Sequence, residues 1–359
     1  MSVSKETSTR GRLASGWLIT LVSFVAMIAA TAYVLRVNWP AGGMPLLAWQ
    51  SHAGALVAVA VEVVTRALKI QASAYSVGSP IGFATALRVC LAGDFAAAVT
   101  PARSGAEPAR FLVLAEAGLS APARVILLFL ELFLEMCSLA IVCIALAIVF
   151  SGRGASAMAL MALVGGYSTF VLGAGAIGLI LARRRASGPP PAWLRLAGVR
   201  TGAWRSLQRM LRQLRVSVDA LRHADMRYMT AAFAGSILHV ICKVAALPLL
   251  VYPSARDFPL TMDTIAPLVL WPLALFYGGV VVPAPGGGGF VEGAFAVALK
   301  DSIPTAVFAA SLLWWRFYTF YLYIIVGGLA AGDAALRAIR RRHPSYTIEA
   351  TDSGIDTNT

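Results

Sequence analysis

The sequence predicts an all-α polytopic integral membrane protein, with about six full spans plus two re-entrant half-helix hairpins that form an inverted repeat. Three observations predict this fold class. Hydrophobic residues make up 58% of the chain and charged residues only 13%, and the mean hydropathy is +0.75, which is typical of membrane proteins. Several apolar runs reach the length of about 20 residues that a helix needs to cross a bilayer. Two further apolar segments are broken near the middle by proline and glycine.

The apolar runs predict the spans and the division of the chain. The first run is too long for a signal-peptide core and has no small-residue cleavage site after it, so we expect it to be retained as a span. We expect a cytoplasmic tail at 1–16, a membrane domain at 17–332 and a cytoplasmic tail at 333–359 that is basic and then disordered. The predicted spans are residues 17–36, 46–68, 123–150, 157–182, 228–251 and 305–332.

The two interrupted segments, 82–118 and 264–300, are predicted to be pairs of half-helices. A break in a helix leaves backbone N–H and C=O groups unpaired, and in hydrocarbon each such group costs several kcal/mol. Breaks therefore survive only inside protein or beside a watery cavity, as in many transporter substrate sites. The second segment holds two prolines and four consecutive glycines within residues 280–293. We expect this stretch to form one wall of a polar pocket.

The distribution of basic residues predicts the orientation. A net charge of +13 could suggest a nucleic-acid partner, but the clusters follow the positive-inside rule, so no nucleic acid is expected. Most of the thirty basic residues fall on one side, and Arg66 and Lys69 are assigned to that side at the end of the second span. We expect a bacterial-type inner membrane protein with both termini in the cytoplasm. The four cysteines lack metal-ligand spacing, and neither a metal nor another cofactor is expected.

In this layout the first hairpin enters from the cytoplasm and the second from the outside, as expected of an inverted-topology repeat. The spacing of the prolines predicts the register between the two halves, because two prolines in each half are 21 residues apart. The matched prolines are Pro101 with Pro283 and Pro122 with Pro304, and this register pairs Gly105 with Gly287 and Arg110 with Glu292.

The loop at 183–227 is basic and contains an amphipathic stretch at 204–221. Two interpretations stay open. The stretch forms a helix on an anionic leaflet, or it is a solvated connector whose arginines satisfy the positive-inside rule.

The first hairpin carries candidate anion-binding residues. Arg103, Gly105 and Arg110 lie in a turn of small residues that opens a helix, where N–H groups and guanidinium groups could bind a phosphate or a carboxylate. The alternative is that the two arginines anchor a cytoplasmic turn and pair with Glu107. Asp94 is a secondary candidate on the same hairpin.

Glu131 and Glu135 follow on the next span, one helical turn apart on one face. Two carboxylates so close in an apolar run cannot both ionise without a cation nearby. Either one holds a proton, or Arg88, Lys243 or Arg316 neutralises the pair. The alternative is a structural salt-bridge cluster that locks the helices together.

The second hairpin contains Gly286, Gly287, Gly288 and Gly289. No Gly-Lys-Ser/Thr follows, so the run is not a phosphate-binding loop of the Walker type. Four glycines let the backbone approach a ligand or a neighbouring helix closely, and we expect their N–H groups to face the pocket. The alternative is a flexible turn between half-helices.

Further ionisable residues inside the predicted spans are also candidates, because a charge at membrane depth needs a partner. Arg316 in the last span is expected to pair with Glu292, or failing that with Glu131 or Glu135. His239 and Lys243 share a helix face, which favours a hydrogen-bonded interior pair over a proton relay. A single histidine predicts no metal site.

These residues together resemble a known family. The chain is similar over roughly residues 15–335 to the membrane region of the lysylphosphatidylglycerol synthase/flippase family. The resemblance implies translocation of a charged lipid between leaflets. Fused members carry a soluble aminoacyl-transfer domain after the membrane region, and since the chain ends at Thr359 we expect no aminoacylation of lipid. The residues that carry the resemblance are Gly93, Pro101, Arg103, Gly105, Glu107, Arg110, Glu131, Pro283, Glu292 and Arg316.

The function predicted is a non-enzymatic, flippase-like translocator of a charged lipid or lipid-linked headgroup that bears an anionic phosphate. The arginines would engage phosphate, and Glu131, Glu135 and Glu292 would balance them or bind a cationic headgroup. One alternative is an intramembrane lipid-modifying enzyme with the glutamate pair as acid and base. Another is a non-catalytic partner of a lipid-biosynthetic enzyme or a glycosyltransferase. A homo-oligomer is compatible with each.

Overall fold

The part of the chain described by the structure is entirely helical in its regular elements. The tails 1–16 and 333–359 lie outside the described residues, as does most of the basic loop 183–227. The computed structural model of the protein describes residues 21–330, apart from residues 23, 40–42, 44–45, 152–154, 184–200, 203, 207, 210–211, 213–222, 256, 280–281 and 283.

The helices used below are numbered in chain order. They are α1 (Phe24–Val37), α2 (Trp49–Ser76), α3 (Phe83–Val99), α4 (Ala106–Glu116), α5 (Ala121–Val149), α6 (Ala155–Arg183), α7 (Met226–Val251), α8 (Met262–Gly278), α9 (Phe290–Leu299) and α10 (Thr305–Ala330). Helix α10 widens into a π-helical turn at Phe317–Tyr321.

The predicted all-α membrane fold is confirmed. Within the described residues, three helices are both long and apolar enough to cross a bilayer: α5, α7 and α10. Helices also occupy most of the other three predicted spans, as α1, α2 and α6. Helix α2 continues beyond residue 68, the predicted end of the second span, to Ser76. Arg66 and Lys69 contact carboxylates inside the protein.

Both interrupted segments are helix–break–helix units. A short 3₁₀ turn at Pro101–Arg103, the first break, separates α3 from α4. A second 3₁₀ turn at Pro285–Gly287, the second break, separates α8 from α9. Chain reversal at the first break packs α3 along α4, and the two breaks contact each other.

The register predicted from the prolines is wrong by two residues. Four pairs of corresponding positions in the two units are each 184 residues apart. They are the helix-capping residues Gly105 and Gly289, the first residues of α4 and α9, the first residues of α5 and α10, and the starts of the two breaks. Pro101 therefore matches Pro285 and not Pro283. Proline is accepted at more than one position around a break or a helix start, so matching prolines by identity misaligned the halves.

Helix α2 is the centre of the packing. It runs along α7 over most of its length and also contacts α3 and α5. Close approach to α7 depends on Gly235, where a Cβ atom would lie 3.3 Å from the backbone oxygen of Thr65. Because α2 is surrounded by helices, its side chains at 62, 66 and 69 are buried.

A similar close approach brings α10 against α3, the helix before the first break. A Cβ atom on Gly327 would lie 2.5 Å from the backbone oxygen of Leu91 and 2.9 Å from Cβ of Phe95. Neither of those atoms can move without moving the α3 backbone. The position of α3 relative to α10 therefore depends on the absence of a side chain at residue 327.

We expect Gly327→Ala to lower the free energy of unfolding by about 1–3 kcal/mol, since the added methyl group forces α3 and α10 apart. The measurement is thermal unfolding of the purified protein in detergent. Gly293→Ala is the matched control. A Cβ atom there meets nothing within 4 Å, so this variant should be neutral or more stable by about 0.5–1 kcal/mol. Equal unfolding temperatures for the two variants would contradict the packing.

Candidate functional site

A cavity of about 90 Å³ lies where the two breaks meet. Both breaks line it, through Arg103 in the first and Gly286 in the second. The remaining walls come from α2, α3, α7, α8, α9 and α10. Such a volume suits a phosphate or a small headgroup, while acyl chains would have to remain outside. The described charged residues of its lining are Arg66, Asp94, Arg103, Lys243 and Arg316.

Arg66 and Asp94 form a buried pair across the α2–α3 contact. Both terminal guanidinium nitrogens of Arg66 donate to the two carboxylate oxygens of Asp94. Glu62, one turn earlier on α2, lies 3.5 Å from Arg66. The second Glu62 oxygen accepts a hydrogen bond of 2.7 Å from the hydroxyl of Tyr323. Lys243 on α7 reaches the first oxygen at 3.7 Å. Each carboxylate here is therefore committed to cations and donors of the protein.

Arg316 and Glu292 form the predicted pair. Nε of Arg316 donates to Glu292 Oε1 at 2.7 Å, and both side chains are buried. The other oxygen of Glu292 accepts the backbone N–H of Gly289 at 2.8 Å, which caps α9. Nη2 of Arg316 reaches the carbonyl oxygen of Gly286 at 3.4 Å. One ion pair thus joins α10, α9 and the second break.

Arg103 differs from the other cations of the cavity. Its side chain is half-buried and lines the cavity, but no carboxylate in the described part of the chain pairs with it. Its backbone is also strained. Ala102 and Arg103 have φ values of 50° and 56°, a left-handed conformation that costs a non-glycine residue about 1–2 kcal/mol. Residues with strained backbone conformations are often found at functional sites.

The matching positions of the second break are glycines. Gly286 and Gly287 have φ values of 59° and 67°, and glycine adopts this conformation at little cost. Both breaks therefore make the same turn. Only the first makes it with a residue that carries a charged side chain.

The prediction that the four glycines direct their N–H groups into the pocket is wrong for three of them. Gly287 N–H donates to the carbonyl of Ala284, Gly288 N–H to that of Pro285, and Gly289 N–H to Glu292. The glycines instead allow close packing: a Cβ atom on Gly286 would lie 2.0 Å from the ring of Phe320, and one on Gly288 would lie 2.2 Å from Met27.

Glu131 and Glu135 belong to a second buried cluster, beside the cavity. Lys69 lies between them, 3.7 Å from Glu131 and 3.2 Å from Glu135. Arg110 contacts Glu131 at 3.2 Å and also pairs with Glu107 at 3.2 Å. The contacting cations are therefore Lys69 and Arg110, and the prediction that Arg88, Lys243 or Arg316 neutralises the glutamates is wrong. The shorter helix predicted from the sequence places Lys69 at its cytoplasmic end, away from the glutamates.

Arg110 enters this cluster through a gap in α3. A Cβ atom on Gly93 would lie 2.4 Å from Nε of Arg110, so the guanidinium group passes α3 only because residue 93 has no side chain. Gly105 serves the turn itself. Its N–H donates to the hydroxyl of Thr100 at 2.8 Å.

One other predicted contact is also wrong. His239 and Lys243 do not bond to each other. Nε2 of His239 lies 4.0 Å from Glu135, and neither ring nitrogen has a hydrogen-bond partner among the described residues, although the side chain is fully buried. Arg88 is partly exposed and pairs with Glu116 at 2.9 Å.

The sequence analysis missed Arg66 and Tyr323 as cavity residues and Lys69 as the cation of the glutamate cluster. A signal was present for the two cations. Glu62, Arg66 and Lys69 follow one another at i, i+4 and i+7, which places all three on one face of a helix. Because the positive-inside rule assigned Arg66 and Lys69 to the cytoplasmic side, this shared helix face was not interpreted as buried.

We expect loss of either partner of the Arg316–Glu292 pair to destabilise the protein. Arg316→Met or Glu292→Leu alone leaves a buried charge unpaired, at a cost of about 3–5 kcal/mol. The double variant removes both charges and should be more stable than either single variant. Thermal unfolding in detergent measures all three.

The control for this series is Arg88→Met. It breaks a pair whose side chains are 32% and 47% exposed, so the expected loss is below about 1 kcal/mol. A double variant as unstable as the sum of the two single variants would contradict the coupling.

The comparison with protein families agrees with the helical membrane fold. The model of the family described as lysylphosphatidylglycerol synthase TM region matches residues 17–327, which include every helix from α1 to α9 and nearly all of α10. No curated protein matches the chain. The protein therefore belongs to the family defined by the transmembrane region of lysylphosphatidylglycerol synthases.

Proposed function

We propose that the protein is a flippase-like translocator, which moves a charged lipid or lipid-linked headgroup between the leaflets of a membrane. The cavity between the two breaks would hold the phosphate of the headgroup. The observation that carries the proposal is Arg103. Among the described residues this cation has no carboxylate partner, and a strained backbone conformation holds it against a cavity that three further cations line.

The environment of Arg103 supports binding of an anion from outside the protein. A half-buried guanidinium group without a carboxylate carries a desolvation cost that an incoming phosphate would offset. The shape of guanidinium also matches two phosphate oxygens at once.

We further propose that the two helix–break–helix units are re-entrant and related by inversion. Their elements repeat at an offset of 184 residues, and their breaks contact each other at the cavity. In an inverted repeat the two halves can exchange conformations, which would open the cavity first to one leaflet and then to the other. The described glutamates support transport more than catalysis, since Glu131, Glu135 and Glu292 are all engaged by cations.

The distribution of basic residues supports a bacterial-type inner membrane location with both termini in the cytoplasm. Membrane lipids are the proposed partners of the cavity. Translocation is compatible with contact between the basic loop 183–227 and a lipid-biosynthetic enzyme or a glycosyltransferase. It is also compatible with a homo-oligomer.

Replacement of Arg103 tests the proposal. We expect Arg103→Gly to reduce lipid exchange in liposomes to the level without protein, because the phosphate loses its unpaired cation. The unfolding temperature should be unchanged or higher, since glycine relieves the left-handed strain. The measurement is leaflet exchange of fluorescent phospholipids, followed by quenching of the outer leaflet.

The matched control is Ala102→Gly. Ala102 has the same backbone conformation, but its side chain carries no charge, so this variant should exchange lipid at the wild-type rate. Wild-type exchange by Arg103→Gly, or wild-type protein no faster than empty liposomes across a broad lipid panel, would refute the proposal.

Deletion of residues 190–222 distinguishes a translocator from a membrane scaffold. A translocator that works through the cavity should keep its lipid exchange without this loop. A scaffold should lose its partner, which co-purification would detect. Loss of exchange in the deleted but folded protein would contradict a mechanism confined to the cavity.

A further inference from the structure

We propose that the cavity selects phospholipids whose headgroup carries a phosphate and no cationic group, and rejects aminoacylated or amino headgroups. This inference rests on the proposed function and narrows its substrate. It follows from the balance of charge at the cavity surface. Among the described residues, four cations and a single carboxylate line the cavity.

That carboxylate, Asp94, is not available to a ligand. Both of its oxygens accept hydrogen bonds from Arg66, and its side chain is only 8% exposed. An ammonium group of a ligand would have to displace a guanidinium group that is itself buried. Displacement would leave Arg66 with Glu62 alone, at the longer distance of 3.5 Å.

The other carboxylates near the cavity are also bound by groups of the protein. One oxygen of Glu62 accepts a hydrogen bond from Tyr323, and the other accepts none from the described residues but lies 3.7 Å from Lys243 and 3.5 Å from Arg66. Glu292 accepts Arg316 and the N–H of Gly289. Neither lines the cavity.

Glu131 and Glu135 are also unavailable to a ligand. They neutralise Lys69 and Arg110 in the separate cluster between α2, α4 and α5, and neither lines the cavity. The sequence alone left open that these glutamates bind a cationic headgroup. Their contacts now assign them to cations of the protein.

The residues that could face an ammonium group are therefore mostly cations or apolar. Lys243 lies 5.3 Å from the centre of the Phe276 ring, and Arg316 lies 4.6 Å from that of Phe320. Arg66 lies 5.8 Å from the centre of the third aromatic ring of the described lining, that of Tyr323. The aromatic faces that attract cations are thus already occupied by cations of the protein. An ammonium group would meet like charge without a counter-charge, which is unfavourable. A phosphate without an ammonium group meets only favourable charge.

The test measures leaflet exchange of three fluorescent lipids by the full-length protein in phosphatidylcholine liposomes. The lipids are phosphatidylglycerol, phosphatidylethanolamine and lysyl-phosphatidylglycerol, which share a phosphate and differ in the cationic group. We expect phosphatidylglycerol to exchange at least about tenfold faster than the other two, given the cost of like-charge contact. Equal or faster exchange of lysyl-phosphatidylglycerol would overturn this inference while leaving translocation intact. Exchange of none of the lipids above empty liposomes would instead refute the proposed function.

A change of charge within the cavity provides a second measurement. Thr319 lines the cavity, and its hydroxyl donates to the backbone carbonyl of Trp315 in its own helix. Thr319→Glu adds a negative charge that lowers the positive excess of the lining, so the preference for phosphatidylglycerol over lysyl-phosphatidylglycerol should fall by about tenfold. Thr319→Gln has the same size and no charge, and should keep the wild-type ratio. An unchanged ratio in folded Thr319→Glu would contradict selection by cavity charge.

A soluble phosphate ester could meet the same chemistry as a lipid headgroup. Uptake of labelled glycerol 3-phosphate into the same liposomes distinguishes the two sources. We expect no uptake above that of protein-free liposomes, since the acyl chains of the substrate remain in the bilayer. Saturable uptake would identify the ligand as a soluble phosphate and overturn its assignment to a lipid.

Discussion

The ion pair between Arg316 and Glu292 is the contact on which the cavity depends. A charge inside an apolar protein is tolerated only with a partner, and here the partnership also determines geometry. Glu292 caps the helix after the second break, while Arg316 binds the carbonyl of Gly286 within it. The π-helical turn that follows Arg316 is a feature often found at functional sites. Helices α9 and α10 and the second break are thereby held as one wall.

The opposite wall follows the same rule with one exception. Arg66 is bound to Asp94, and Lys243 lies near Glu62, but Arg103 is left without a carboxylate among the described residues. Among the described lining residues, cations outnumber carboxylates, and the single carboxylate is bound by Arg66. This balance of charge is the basis of the proposal that the ligand is an anion.

The two breaks differ in the residues that make a common turn. Gly286 and Gly287 adopt the left-handed conformation freely, and the second break uses that freedom to pack against Phe320. In the first break the same conformation is imposed on Ala102 and Arg103, so part of the folding free energy is used to hold a guanidinium group in place. The glycines of the second break thus serve packing, whereas the first break places a charged side chain against the cavity.

Hydrophobic run length and interruption were sufficient to predict the all-α membrane fold and the two broken segments, because span length and backbone hydrogen bonding are local constraints. The pairing of Arg316 with Glu292 was also predictable, since few buried carboxylates were available. The contacts of Arg66 and Lys69 were not predictable from the sequence. Whether a cation near a helix end reaches water or a carboxylate depends on which helices surround α2. Likewise, whether Arg103 or Arg110 remains unpaired depends on the gap at Gly93 and on the position of Glu131, and only the packed helices bring those residues together.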